Sequence, residues 1–197
     1  MGTNKHFERH WHSIDQRMRA SLAVTAGLSL VLSALPAATN AQGVGELRLG
    51  ALTHDIDNLW AHARKEHGTD INIEFVFAQP LFELGPGVVR PNIGASLNSS
   101  GDTSKAYAGV VWQVEHDSGW FFETGVGAAI HTGETDARRP NQKRLGSRLL
   151  FRIPLEAGYS PDGKHRFSMM FDHISNAYLA SPNEGLDTLG LRYGYRF

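Results

Sequence analysis

The chain has 197 residues, no cysteine and a net charge of -1. That length suffices for one domain with a sizeable buried surface, while the missing cysteine excludes a disulfide framework, a thiol nucleophile and a Cys-ligated metal. Lys and Arg number 19 against 20 Asp and Glu and are scattered along the chain, which leaves no basic footprint for DNA or RNA.

Residues 1–41 read as an N-terminal extension followed by an export signal. The run Leu22 to Leu35, LAVTAGLSLVLSAL, carries no charge, yet at about 1.5 Å per residue it is too short to span a hydrocarbon core of roughly 30 Å. Arg17 and Arg19 precede it and Pro36 to Ala41 follow it, the order of a secretory signal peptide cut after Ala41. Met18 fits a true start, because Met1 to Arg17 is polar. An exported chain without a later long apolar helix is either a soluble β protein or a barrel.

From residue 42 onward, strand-like runs alternate with polar or glycine-rich breaks. The runs are Val44–Leu52, Asp70–Gln79, Val89–Asn98, Lys105–His116, Gly119–Ile130, Leu145–Tyr159, His165–Ser175 and Asp187–Phe197. Each is near the length that a tilted transmembrane strand needs, and their number is even. Several alternate with period 2. Leu189, Leu191, Tyr193, Tyr195 and Phe197 share one face, with Gly190, Arg192, Gly194 and Arg196 on the other. Longer breaks tend to alternate with tight turns such as His116–Gly119 and Ser160–Gly163, as in outer-membrane barrels. The expectation for residues 42–197 is therefore an all-β fold, an eight-stranded antiparallel transmembrane β-barrel. With both termini periplasmic, the connection from Asn176 to Leu186 is external. Trp112, Trp120 and Tyr159 are candidate interface anchors.

Chemistry concentrates in the last hairpin. Phe167, Met169, Phe171, His173 and Ser175 share a parity, so His173 and Ser175 belong on the lipid-facing wall near the outer interface. Cβ atoms two residues apart on a strand are separated by about two rises of 3.3 Å, within reach of a His–Ser hydrogen bond. Asp187 has the parity of the apolar residues of the next strand and can lie beside His173. Unpaired polar groups facing hydrocarbon cost several kcal/mol each, so three of them together need a common reason. A Ser-His-acid triad supplies one. The bland alternative is an interfacial histidine, a turn-initiating serine and a strand-end aspartate.

The stretch His173-Ile-Ser-Asn-Ala-Tyr-Leu-Ala-Ser-Pro-Asn-Glu-Gly-Leu-Asp187 resembles the C-terminal motif of the lipid A 3-O-deacylases (PagL-type). That motif runs H-x-S-N-A-x-L, a spacer, P-N-x-G and an acidic residue. The resemblance implies a barrel serine esterase that removes the acyl chain ester-linked at position 3 of lipid A in the outer leaflet of the outer membrane. Ser175 would be the nucleophile, His173 the general base and Asp187 the acid, where many members carry the longer Glu. Asn183 matches the asparagine proposed to stabilise the oxyanion, and Asn176 a second motif asparagine expected to brace the loop or the site. Tyr178 stands where the family often has Gly, which restricts the backbone there. Phe167, Met169 and Phe171 are the candidates for holding the acyl chain. The resemblance implies no cofactor. Lipid A or lipopolysaccharide and the outer membrane are its partners.

The remaining candidates are weaker. His62 and His67 lie in a charged first loop and His6, His10 and His12 precede the signal segment, so no metal set forms. Arg138, Arg139, Lys143 and Arg144 lie in the third external loop and either meet lipid A phosphates or are an ordinary solvated charge cluster. The competing functional reading is a non-enzymatic small outer-membrane barrel of structural or adhesion type. Oligomeric state is open, a homodimer being one option.

Overall fold

A computed structural model of the chain describes residues 43–57, 59–61, 63–136 and 139–197, so the expected extension and export signal fall outside the described residues. The strands are β1 (Val44–Thr53), β2 (Thr69–Phe77), β3 (Phe82–Leu84), β4 (Gly87–Asn98), β5 (Lys105–Glu115), β6 (Trp120–His131), β7 (Leu149–Tyr159), β8 (His165–Ser175) and β9 (Leu186–Arg196). Each long strand pairs antiparallel with its sequence neighbour, and β1 pairs with β9. Pairing of β2 with β4 closes the sheet. Eight strands form the wall, and closure leaves no unpaired edge among them. The short β3 was not legible as a strand. It pairs only with β4 and extends the β2–β4 connection at the end where β1 begins and β9 finishes.

Alternation along the strands sorts side chains between two environments. Outward positions such as Ile71, Ile93, Leu97, Phe122, Ile130, Leu149, Phe151, Phe167, Met169 and Leu191 are exposed apolar groups, the belt of a transmembrane barrel. Inward positions carry charges. Arg48 bridges Glu123 at 2.7 Å and Glu74 at 3.1 Å, and Arg192 reaches Glu74 at 2.7 Å. Arg152 and Lys105 share Asp172 at 2.7 and 2.6 Å. In a closed interior such charges persist only when paired, and removing one partner costs about 3–5 kcal/mol. The lumen is thus filled by ion pairs rather than open.

At the other end, residues 54–68, 99–104, 132–148 and 176–185 form the longer connections. Beneath them an apolar cluster of Tyr107, Ala129, Leu145, Leu150, Ile174 and Leu186 fills the barrel. Leu145, expected to open the sixth strand, instead turns inward as a buried loop residue, and β7 starts at Leu149. Trp120 and Tyr159 pack ring to ring (5.4 Å between centroids) at the opposite rim.

Candidate active site

Strand register brings the three candidate residues of the last hairpin together. His173 and Asp187 are direct cross-strand partners on β8 and β9, and Ser175 follows two residues after His173 on the same face. His173 Nδ1 lies 2.6 Å from Asp187 Oδ1, and His173 Nε2 lies 2.9 Å from Ser175 Oγ. A carboxylate only accepts hydrogen bonds, so Nδ1–H donates to Asp187. Nε2 is then left with a lone pair to accept the serine hydroxyl. Direct opposition also explains how the short aspartate reaches, since neighbouring strands lie only about 4.8 Å apart.

Asp187 faces outward yet is fully buried, because the β1–β2 loop folds back over the wall. The backbone N–H groups of Trp60 and Ala61 both donate to Asp187 Oδ2 at 2.7 Å. The Trp60 ring stacks on His173, centroids 4.7 Å apart and planes 23° apart, and more loosely on Phe171 at 6.3 Å. Sequence reasoning missed this loop. Its one signal was the apolar pair Leu59–Trp60 inside an otherwise charged segment.

Buried charges pin the loop. His54 Nδ1–H donates to Asp70 Oδ1 at 2.8 Å and Nε2–H donates to Glu66 Oε2 at 3.0 Å. Burial opposes a charge on His54, but the hydrogen bonds to Asp70 and Glu66 outweigh it and raise its pKa to about 9. Asp55 Oδ2 accepts the N–H groups of Lys65 and Glu66, and Asp55 Oδ1 lies 2.9 Å from Lys143 Nζ. Lys143, considered above for contact with lipid phosphates, is therefore buried inside the loop assembly. Arg138 lies outside the described residues.

After Ser175 the chain makes a tight turn, in which Leu179 N–H donates to Asn176 O at 3.0 Å. Its central residues Ala177 and Tyr178 have φ of 51° and 61°, an unusual conformation for residues with a Cβ. Asn176 Nδ2 donates to Leu145 O at 2.9 Å and Pro182 O at 2.8 Å, tying the turn to two loops. Asn183 Oδ1 accepts the Asn176 N–H at 3.0 Å. That bond orients the Asn183 amide and leaves its Nδ2 as the donor on the other side. Gly146, at φ +72°, is required by close approach, because a Cβ there would collide with Pro182 O. A Cβ on Gly185 would press on His173 Cε1 at 3.2 Å. Burial acts to raise the Glu184 pKa, but Lys65 and Arg144 outweigh it and hold the carboxyl at about 2.

A groove of about 390 Å³ opens over Ser175 and His173. Trp60, Val126, Phe151 and Ile153 form its apolar lining, with Asn183 and Gly185 on the loop side. Of the three acyl-chain candidates, Phe167 and Met169 lie farther along the wall and do not line this groove, and Phe171 meets Trp60 instead. The groove runs across the strands towards β7 and β6 because Phe151 and Ile153 are the cross-strand partners of Ser175 and His173.

An eight-stranded antiparallel barrel with an apolar exterior and an ion-paired interior is a membrane-barrel protein, and the hydrogen-bonded Ser-His-Asp set on its outer wall is its candidate site. The family model described as Lipid A 3-O-deacylase (PagL) matches residues 93–196, more than half of the chain, and the chain belongs to that family. The lipid A deacylase PagL of Bordetella bronchiseptica (strain ATCC BAA-588 / NCTC 13252 / RB50) is 29% identical over 115 residues, 55% of this chain. That match spans 62% of the Bordetella protein, less than two thirds of its length. Among solved structures, the crystal structure of the outer membrane enzyme PagL superposes with a TM-score of 0.54 at 19% identity, covering 76% of this chain and 99% of that one. Trp60 and Ala61 lie outside the region matched by the family model.

Proposed function

We propose that the protein is a lipid A 3-O-deacylase of the outer membrane, exported by a signal within residues 1–41 and acting on the ester-linked acyl chain at position 3. The observation that carries this reading is the His173 imidazole held between Asp187 and Ser175 on the lipid-facing wall, in a chain that belongs to the lipid A 3-O-deacylase family. An ester carbonyl of a lipid lies near the boundary between hydrocarbon and headgroup. A groove at the loop end of the wall, apolar below and polar above, matches that depth.

In the proposed reaction, Ser175 Oγ attacks the ester carbonyl while His173 Nε2 takes its proton. Asp187 keeps the imidazole in the tautomer with Nδ1 protonated and stabilises the imidazolium that forms. Negative charge develops on the carbonyl oxygen, and the oriented Nδ2–H of Asn183 is the donor placed to meet it. The acyl C–O bond to the sugar then breaks, and His173 returns the proton to the departing sugar oxygen, which leaves as the hydroxyl. Water then attacks the acyl-enzyme with His173 again as base, which releases the fatty acid and restores Ser175. The acyl chain lies against Val126, Phe151 and Ile153.

The test is the mass of lipid A from cells expressing the protein. Wild type should lower it by one hydroxyacyl group, whereas Ser175→Ala and His173→Asn should leave it unchanged. Unchanged lipid A with wild-type protein in the outer membrane would favour a structural or adhesion barrel instead.

A further inference from the structure

A second cleft, of about 490 Å³, lies on the far side of the turn that follows Ser175. It shares Tyr178, Asn183 and Glu184 with the groove over Ser175, so the two adjoin at those residues. Beyond the shared residues its wall is Leu179 to Pro182 and Arg144. The cleft belongs to loops at the end of the barrel, past the last strand residues, whereas the apolar lining of the first groove, apart from Trp60, belongs to strands β6 and β7.

Arg144 is built into this cleft rather than loose on the surface. Its backbone N–H donates to Glu184 Oε2 at 2.9 Å, and its carbonyl accepts the Glu184 N–H at 3.1 Å. Its Nε donates to Glu184 Oε1 at 2.9 Å. The same oxygen takes Lys65 Nζ at 2.6 Å. Holding Nε in this way fixes the plane of the guanidinium, and among the described residues Nη1 and Nη2 have no hydrogen-bond partner. Two cations against one carboxylate leave a net positive charge, and 49% of the Arg144 side chain is exposed. A guanidinium with its outer edge free is suited to a two-point contact with phosphate oxygens.

We propose that Arg144, oriented by Glu184 and reinforced by Lys65, binds a phosphate of the lipid headgroup while the ester of the same molecule sits at Ser175. This rests on the lipid A reading above and adds a headgroup subsite to it. Lipid A joins acyl chains to a phosphorylated glucosamine disaccharide, so an ester between chain and sugar has hydrocarbon on one side and anionic groups on the other. The two clefts reproduce that order, apolar strands on one side of Ser175 and a cationic loop cleft on the other. The subsite positions substrate and takes no part in bond making.

The experiment compares deacylation of lipid A with that of the same lipid after enzymatic removal of its phosphates, using the full barrel in mixed micelles. Loss of a charge-assisted Arg–phosphate contact corresponds to roughly ten- to hundredfold in binding, so wild type should show a KM lower by about that factor for the phosphorylated lipid. Arg144→Gln should collapse the ratio of the two KM values towards one, and Arg144→Lys should restore part of it. A wild type without preference overturns the proposal, even if the Arg144 variants fail to fold. A preference that survives intact in Arg144→Gln overturns it as well. Release of acyl chains from neither lipid by folded wild type removes the deacylase reading itself, a result distinct from loss of the phosphate preference.

Discussion

Replacing Asp187 by Asn tests the proposed site through a single proton. In the native protein, Asp187 Oδ2 accepts two backbone N–H groups, from Trp60 and Ala61, both at 2.7 Å. An asparagine has only one oxygen. If that oxygen stays on the two N–H donors, its NH2 must face His173 Nδ1 and donate to it. The imidazole then carries its proton on Nε2, pointing at Ser175, and cannot accept the serine proton. Flipping the amide would set NH2 against both N–H groups, and the buried Ala61 N–H left unsatisfied costs about 1–3 kcal/mol by itself, so the inactive arrangement is favoured by at least about that much. An analogous tautomer trap in serine proteases lowers kcat by roughly 10⁴, about 5 kcal/mol of barrel-bound transition-state stabilisation here. The assay is fatty-acid release from lipid A in micelles under saturating substrate, with heat-modifiable gel migration as the check on folding. A folded Asp187→Asn protein with a tenth or more of wild-type kcat would refute the tautomer reasoning and the clamp that supports it.

Trp60→Ala removes the ring over His173 but keeps the backbone clamp on Asp187; a loss of about 1 kcal/mol predicts a five- to tenfold drop in kcat/KM with little change in gel migration, and unaltered kinetics would show that the stack is incidental. Tyr178→Gly relieves a left-handed residue that costs about 1–2 kcal/mol, less the entropy glycine adds to the unfolded chain. The net gain of about 0.5–1 kcal/mol should raise the thermal transition of the barrel, and a lowered transition would contradict it. The β1–β2 loop should loosen with alkali. Because the folded pKa of His54 is raised from 6.5 to about 9, its contribution of roughly 3 kcal/mol is complete below pH 6.5, declines as pH rises and is gone above about pH 9. Limited proteolysis within residues 54–68 should accelerate over that window in wild type, and a pH-independent rate would count against the His54 anchor.

Local chemistry made much of the barrel legible. Period-2 alternation depends only on neighbouring residues, and it located the eight wall strands to within a few residues at most ends. The same parity put His173 and Ser175 on one outward face, since residues two apart on a strand have no other choice. Where it erred, tertiary contacts overrode the pattern. Leu145 is apolar and precedes a strand, but the cavity under the loops takes it inward and delays β7 to Leu149. The three-residue β3 is too short to show a period.

The sequence alone also carried the dense motif from His173 to Asp187, and with it the family expectation. It did not hold the surroundings that turn three polar residues into a hydrogen-bonded, oriented set. Trp60 and Ala61 meet Asp187 across more than 120 residues of chain, a contact that exists because an acidic side chain on an apolar wall must find donors and the first loop supplies them. The direction of the groove, across β7 and β6 rather than along Phe167 and Met169, follows from which strand lies beside Ser175. Burial of Lys143 and exposure of its neighbour Arg144 are likewise set by the packing of loops brought together by barrel closure. Spacing along the chain determined which face each side chain occupies; closure of the sheet decided what stands opposite it.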